Sequence, residues 1–486
     1  MGLTQEAVFS YRDDQILISL KITPAIRTLL IVIPVSEQRP AAEKLISLIS
    51  SNQNSVLENS RICACYILKS YPNVPYEMAM RLMNIATEGA KDNFLSKATH
   101  PRAFFTDLRR EIISYITDFC LSDANFDKDL LEQEKLIKNL ILCLEDYTRN
   151  HKGDIGSTVR ISAMQNLQKL EKYYQVLPPA TLTLMIGKIL QQGAEKILRI
   201  REEAAKCLIS LRDAPREQKI DSELKKVLQI FWPGFEQKEF QSYKIKSTDS
   251  KIQTTKDEKW VADWGKELMF SKYAMVLRIK SIQHHVIRGL IVSSGDLTKS
   301  LSSKALSGLV DYLDQVEEED LKKFSENLLE CWKNDSKCQI AKPILKLLDE
   351  FLVREFFESI EEEKSIDDLF VLCEKYTKSK DAGNRINAIS CISGFLKMDA
   401  FYARALKRFN FLLSHKQPFI RCQAAEKMLH AMEILAILKE IPVEVTVTLK
   451  DTDWMDDKIS SQTLKAIANK ITQTLLSGMV ISQRFC

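Results

Sequence analysis

The stretch Asp154-Ile-Gly-Ser-Thr-Val-Arg-Ile-Ser-Ala163 has the pattern of a turn that leads into a helix. Asp154 or Ser157 can accept hydrogen bonds from the free N–H groups of the first helical turn. Arg160 and Ala163 follow at helical spacing. A small Ala lets a neighbouring helix approach closely, while the Arg can keep its head at the surface and bond the adjacent turn. The stretch therefore predicts the second helix of a stacked helix pair.

The same Arg-x-x-Ala spacing recurs in other segments with helical periodicity. The copies are Arg61/Ala64, Arg160/Ala163, Arg201/Ala204, Arg385/Ala388 and Arg421/Ala424. The second and third arginines are 41 residues apart and the last two are 36 apart. A period near 40 is typical of HEAT and armadillo repeats. We predict an all-α, HEAT/armadillo-like α-solenoid of antiparallel helix pairs, in which Asp154 and the last four Arg/Ala pairs stack the repeats.

One position of this repeat varies in chemistry. Six residues before the arginine, the chain has the acidic residues Asp154 and Glu195 in two copies, but Ser379 and His415 in the last two. Pro418 lies in the turn of the last copy, where it suits the first position of a helix.

Composition agrees with a helical protein. The chain has 14 Gly and 13 Pro among 486 residues, about half the roughly 12 % of an average protein. Many short strands would need more turn-forming residues than this. A hydrophobic content of 45 % with 28 % charged residues allows a large buried core.

The chain divides by pattern into four parts. Residues 1–40 are poorly defined, 41–235 form a first helical-repeat segment, 236–259 form a polar, flexible loop, and 260–486 form a second helical-repeat segment. Within the last part, Val443, Val445, Val447 and Leu449 alternate with period two, which resembles a strand. So short a segment does not decide between strand and helix, so we leave it open.

Charge and cysteine content narrow the function class. Lys and Arg total 69 against 65 Asp and Glu, a net charge of +4 spread along the chain, which does not favour nucleic-acid binding. The apolar run Ile16–Val35 is interrupted by charges and prolines and is too broken to span a membrane. Eleven cysteines without a CxxC pair indicate reduced core cysteines. We therefore expect a soluble, cytoplasmic protein.

Catalytic patterns are missing from the sequence. It has no P-loop, no H-E-x-x-H, no G-x-S-x-G and no set of kinase motifs. The adjacent pair His284-His285 points in two directions on a helix and does not easily chelate one ion. We therefore expect no enzyme activity, no cofactor and no metal site.

The clearest charged feature lies at 397–421. Arg404, Lys407 and Arg408 share one helix face, and Lys416 follows in the next turn. A solvated helix face explains such a cluster, and so does a docking patch for an acidic protein surface.

Four stretches resemble the C-terminal part of the tubulin-folding cofactor D family, and they occur in the family's order. They are Cys143–Arg160 (CLEDYTRNHKGDIGSTVR), His285–Thr298 (HVIRGLIVSSGDLT), Lys416–Arg421 (KQPFIR) and Val447–Trp454 (VTLKDTDW). Members of that family are more than twice as long as this chain, so the resemblance concerns only their C-terminal part. The family's Gly-Gly-Leu-Thr is Gly-Asp-Leu-Thr at 295–298 here.

The resemblance implies a tubulin chaperone. Such a protein binds β-tubulin, assists assembly and disassembly of the αβ-tubulin heterodimer with other tubulin-folding cofactors and an ARF-like small GTPase, and contributes GTPase-activator activity. It implies a cytoplasmic protein, with the cytoskeleton or centrosome as a further location. No catalytic residue is implied, because GTP hydrolysis belongs to tubulin or the small GTPase. The alternative is a generic HEAT-repeat scaffold or transport adaptor without a role in tubulin folding.

Overall fold

The structure is a computed structural model that forms two compact units, Met1–Gly289 and Leu290–Cys486. It describes residues 35–50, 58–69, 74, 76–90, 105–151, 153–214, 222–233, 250–265, 269–295, 299–334, 340–437 and 441–482. The two units divide at 289/290 rather than at the predicted loop 236–259. The predicted segment 1–40 lies outside the described residues except for 35–40.

Helices dominate the first unit. They are α1 Val35–Ser50, α2 Glu58–Lys69, α3 Tyr76–Met80, α4 Met83–Ala86, α5 Thr106–Ser122, α6 Leu130–Cys143, α7 Ser157–Lys169, α8 Pro179–Gly193, α9 Leu198–Asp213, α10 Ser222–Phe231, α11 Ser250–Gly265 and α12 Phe270–Val276. α13 Lys280–Ser294 follows. Single 3₁₀ turns lie at Glu88–Ala90, Phe126–Lys128 and Glu171–Val176, and the two-residue strands β1 Arg149–Asn150 and β2 Gly153–Asp154 pair in antiparallel fashion.

The second unit is also helical. Its helices are α14 Lys299–Leu313, α15 Glu318–Lys333, α16 Ala341–Val353, α17 Lys364–Tyr376, α18 Ala382–Phe395, α19 Asp399–Leu413, α20 Pro418–Leu435, α21 Val443–Asp451 and α22 Ser461–Ser482. A 3₁₀ turn lies at Glu358–Ile360.

The helices of the first unit pack in two layers. In one layer α2, α5, α7, α9 and α11 contact one another in succession, and in the other α6, α8, α10 and α12 do the same. The layers are joined by the pairs α6/α7 and α8/α9. Helices α6 to α9 thus contact both the partner in their own pair and the equivalent helix of a neighbouring pair, which is the packing of a helical repeat.

The second unit repeats the arrangement. Helices α16, α18 and α20 pack in succession, α15 packs on α17, and the pairs α17/α18 and α19/α20 join the layers. The chain ends its described part with α21 on α20 and α22 on α19. The predicted all-α fold of paired helices is confirmed.

Local sequence explains where several helices begin. Asp129 accepts the N–H of Glu132 (3.1 Å) at the start of α6, and Asp381 accepts that of Asn384 (2.7 Å) at the start of α18. Pro179 and Pro418 occupy the first position of α8 and α20, where no N–H is needed. The prediction for Pro418 is therefore confirmed.

The structure decides one segment that the sequence left open and corrects one expectation. The alternating segment Val443–Leu449 belongs to helix α21 rather than to a strand, and of its residues Val445 and Leu449 are buried at i and i+4. This spacing is helical, and Val443 and Val447 are exposed. The predicted loop 236–259 is also too long at its C-terminal end, because α11 begins at Ser250. Residues 236–249 lie outside the described part.

Candidate functional site

The arginines of the repeat are buried, which corrects the expectation that their heads lie at the surface. Arg160 is fully buried, Arg201 and Arg421 are nearly so, and Arg385 is half-buried. Arg61 of the first copy is also buried and donates to the carbonyl oxygen of Ile49 (3.0 Å). A buried guanidinium needs hydrogen-bond acceptors, and the chain supplies them from the preceding turn.

The acceptor lies six residues earlier in four copies of the repeat. Arg201 donates to the carbonyl oxygen of Glu195 (2.8 Å), Arg385 to that of Ser379 (3.0 Å) and Arg421 to that of His415 (2.9 Å). Each arginine thus closes the turn that precedes its own helix. Because the acceptor is a backbone carbonyl, the residue type at this position is free to vary.

Arg160 differs by binding a side chain at the same position. Its guanidinium donates to the Asp154 carboxylate (2.8 Å) and lies 3.5 Å from Glu195. The four repeat alanines Ala163, Ala204, Ala388 and Ala424 are all fully buried. The structure therefore places the predicted stacking residues in helix packing and in the closure of turns.

The turn between α6 and α7 is a short hairpin. Gly153 has a φ of +118°, a conformation that side chains disfavour. The Asp154 carboxylate accepts the N–H of Ser157 (3.2 Å) at the start of α7, so Asp154 acts as the predicted cap. Gly156 lies against the backbone of Asp146, where any side chain would collide.

Asp146 forms a buried ion pair that sequence reasoning missed. Its carboxylate pairs with Arg109 of α5, and both side chains are fully buried. The second carboxylate oxygen accepts the N–H (3.1 Å) and the hydroxyl (2.6 Å) of Thr148. Asp146 thereby joins α5 to the turn that starts α7. The signal in the sequence was the position of Asp146 between two apolar residues, Leu144 and Tyr147, that are both buried.

The neighbouring Glu145, in the turn after α6, contacts side chains of helices α8 and α13. Its carboxylate binds Lys188 (2.6 Å) and Gln191 (2.9 Å) of α8 and lies 3.4 Å from Arg288 of α13. Burial alone would raise the pKa of Glu145, but Lys188 and Arg288 outweigh it and hold this pKa far below its usual range. Glu145 is therefore charged in the folded protein.

The low pKa of Glu145 predicts an acid-dependent loss of stability. A depressed folded-state pKa stabilises above the unfolded pKa of about 4.3, and the contribution is lost as the pH falls below it. We expect Glu145→Gln to be less stable than the wild type at pH 7 and to show a flatter decline below about pH 5. Urea unfolding across pH tests this, with the exposed Glu77→Gln as control. Parallel curves for Glu145→Gln and wild type would contradict it.

Tyr147 completes the packing of this turn. The Arg160 guanidinium lies over the Tyr147 ring at 4.1 Å, and the Tyr147 hydroxyl accepts from Gln191 (3.2 Å) and Gln192 (3.3 Å). Within the resemblance stretch Cys143–Arg160, the side chains of Asp146, Tyr147 and Arg160 thus contribute to a buried polar junction between helices.

Burial and the nearby Lys188 lower the pKa of His285 to about 3, so the His285 imidazole is neutral.

The basic face of α19 is divided by the structure. Arg408 is buried, where its guanidinium donates to the hydroxyl (Nε, 2.9 Å) of Thr377, so it is a packing residue. Arg404 is exposed but pairs with Asp367 and lies 4.5 Å from the Phe370 ring centroid. Lys407 and Lys416 are exposed, and neither forms an ion pair with a carboxylate of the described residues. The patch available to a partner is therefore smaller than predicted.

Cysteines and histidines provide no reactive cluster within the described ranges. Cys65, Cys120, Cys143, Cys207, Cys331, Cys373 and Cys391 are free and buried, as expected, and Cys422 is half-buried. Across the same ranges, no group of three or more His, Cys, Asp or Glu side chains is arranged to hold a metal ion. None of the described helices combines the length and apolarity needed to cross a bilayer.

Two comparisons relate the chain to known proteins. The crystal structure of an engineered protein aligns over 88 % of this chain and 97 % of its own, with 12 % identity and a TM-score of 0.26, which is too low to support an argument about fold or function. The sequence model of the tubulin folding cofactor D C-terminal family matches residues 183–384. This range runs from α8 into α18 and contains the stretch His285–Thr298; the other three resemblance stretches lie outside it. Residues 183–384 of this chain are thus similar to the tubulin folding cofactor D C-terminal family.

Proposed function

We propose that this protein is a tubulin-folding cofactor D-like chaperone. In this role it binds β-tubulin and assists assembly and disassembly of the αβ-tubulin heterodimer. The observation that carries the proposal is the family match over residues 183–384. The stacked helix pairs also support it, since repeats of this kind bind large partners through many modest contacts spread over a surface.

The proposed mechanism needs no catalytic residue in this chain. A chaperone that prefers one state of tubulin shifts the equilibrium toward that state in proportion to its differential affinity. We propose that other tubulin-folding cofactors and an ARF-like small GTPase act with it, and that it stimulates hydrolysis carried out by the GTPase or by tubulin. We propose a cytoplasmic location, with access to the cytoskeleton or centrosome.

Tubulin binding is the direct test. The purified chain is incubated with purified αβ-tubulin, and the complex is measured by pull-down and by titration. We expect a dissociation constant of about 1 μM or tighter, equivalent to roughly 8 kcal/mol of binding free energy. No binding by a folded protein would overturn the proposal and favour the alternative, a generic helical-repeat scaffold or transport adaptor.

The exposed lysines of α19 and its following turn give a second expectation. We propose that Lys407 and Lys416 contact an acidic surface of tubulin, with Arg404 beside them. We expect Lys407→Glu/Lys416→Glu to weaken tubulin binding by about tenfold at low salt and by less at high salt, because salt screens exposed charges. The matched control is Lys128→Glu/Lys225→Glu, which changes the net charge equally at exposed positions of the first unit. If both double variants bound tubulin with equal affinity, Lys407 and Lys416 would not be part of the tubulin-binding surface.

A further inference from the structure

A groove lies in the second unit between α20 and the turn that follows α21. It encloses about 320 Å³. Cys422, Ala425 and Leu429 contribute apolar side chains on the α20 side, and Leu449, Trp454 and Met455 contribute them on the opposite side. The lining is therefore largely apolar. A cavity of this size accommodates apolar side chains of a partner.

Arg421 holds the far wall of the groove in place. Its guanidinium donates to the carbonyl oxygens of Trp454 (3.2 Å) and Asp456 (2.9 Å), besides closing its own preceding turn. The Trp454 indole N–H donates to the carbonyl oxygen of Leu449 (2.9 Å). The wall is thus fixed to α20 and α21 by hydrogen bonds, so the groove is formed before any partner binds, which lowers the entropic cost of binding.

Apolar surface continues outside the cavity. Met455 is 52 % exposed and Phe419, at the start of α20, is 48 % exposed. Phe419, Cys422, Glu426 and Leu429 follow one another at helical spacing, so they share a face of α20. Phe419 therefore lies on the same face of α20 as the groove.

The rim of the groove is acidic. Glu426 and Asp453 line it, and the exposed Asp451 and Asp457 lie on the same turn. The one lining lysine, Lys450, is paired with Glu433 (2.9 Å). The Cys422 thiol donates to the Glu426 carboxylate (3.3 Å), and burial, Glu426 and Asp453 together raise the pKa of this thiol. Such a rim repels phosphate groups of nucleic acids and anionic lipids.

We propose that this groove binds a basic, amphipathic segment of a partner protein. Apolar side chains of the segment insert between α20 and the 452–455 turn, and its Lys or Arg side chains pair with Glu426 and Asp453. This is the mode in which an amphipathic helix places its apolar face in a hydrophobic groove. The proposal goes beyond tubulin binding and does not require it.

Peptide binding to the full-length chain tests the proposal. The probe is a fluorescent, amphipathic helical peptide made of Lys and Leu, called the Lys–Leu peptide. Two control peptides replace every Lys by Glu (the Glu peptide) or every Leu by Ser. Anisotropy is expected to show binding of the first peptide and at least about tenfold weaker binding of the other two. Glu426→Lys/Asp453→Lys is expected to weaken the first by about tenfold or more. The control Glu319→Lys/Glu362→Lys carries the same charge change at exposed sites elsewhere in the unit.

Cys422 gives a local readout of occupancy. The peptide is expected to slow alkylation of this half-buried thiol severalfold in the wild-type chain, as followed by mass spectrometry of its tryptic peptide. The variant Glu426→Lys/Asp453→Lys is expected to lose this protection. Three results would each overturn the proposal. The first is equal affinity of Glu426→Lys/Asp453→Lys and the control Glu319→Lys/Glu362→Lys for the Lys–Leu peptide. The others are binding of the Glu peptide as tightly as the Lys–Leu peptide, and alkylation of Cys422 that the bound peptide does not slow. The proposal would also be overturned if the wild-type chain bound anionic vesicles and Glu426→Lys/Asp453→Lys changed that binding.

The two proposals fail separately in these experiments. Peptide binding by a chain that does not bind tubulin supports the groove and overturns only the tubulin proposal. Tubulin binding by a chain that does not bind the Lys–Leu peptide overturns only the groove.

Discussion

Asp146→Ala is expected to lower the free energy of unfolding of the first unit by about 3–5 kcal/mol. The substitution removes the Asp146 carboxylate, which pairs with the fully buried Arg109 guanidinium. It also removes the acceptor of the Thr148 N–H and hydroxyl, which hold the turn before α7. An uncompensated buried charge costs far more than the intact pair contributes, because its solvation is not replaced. Urea unfolding measures the loss, and hydrogen exchange in α5 and α7 locates it.

A second substitution separates the buried charge from a general packing defect. Arg109→Met/Asp146→Leu removes both charges and is expected to recover much of the stability lost in Asp146→Ala, because apolar replacements of a buried pair are often neutral. Asp118→Ala breaks the exposed pair with Lys169 and is expected to change little. An Asp146→Ala protein as stable as Asp118→Ala would show that the buried pair does not stabilise the unit.

Much of the fold follows from local sequence signals. Helical periodicity, caps such as Asp381 and turn-forming residues such as Gly153 act over a few residues, so a single sequence contains them. The Arg-x-x-Ala repeat identified the stacked helices, because the buried Ala and the turn-closing Arg are both local features. The alternating Val443–Leu449 segment stayed undecided for the same reason: a short local pattern fits two structures, and packing of Val445 and Leu449 decides between them.

The long-range partners were beyond the sequence. Arg109 is 37 residues from Asp146, and Arg288 is far from Glu145 along the chain, so no local pattern pairs them. Burial of the repeat arginines was also missed, since an Arg on a helix is usually exposed. Helical spacing placed Arg408 on the same face as Arg404, but spacing alone does not show that α17 covers it. The groove beside α20 depends on two segments meeting and was likewise not predictable.

Ala424→Glu is expected to destabilise the second unit by about 4 kcal/mol or more. Ala424 is fully buried on α20, a helix that packs on α18, α19 and α21. A Glu there must displace neighbouring atoms, which costs roughly 1–3 kcal/mol, and must bury a carboxylate. Ala163→Glu on α7 is expected to act in the same way on the first unit, since Ala163 is also fully buried. Thermal unfolding measures both.

Ala403→Glu is the matched control for Ala424→Glu. Ala403 is exposed on α19, where a Glu lies four residues before Lys407 and gains a weakly favourable helix-surface pair. The two variants share the same chemical change and helix propensity effect in one unit, so their difference isolates burial. We expect Ala403→Glu to melt with the wild type and Ala424→Glu to melt well below it. A melting temperature of Ala424→Glu within about one degree of wild type would show that this alanine is not a packing contact. The Arg-x-x-Ala repeat would then describe turn closure by Arg alone.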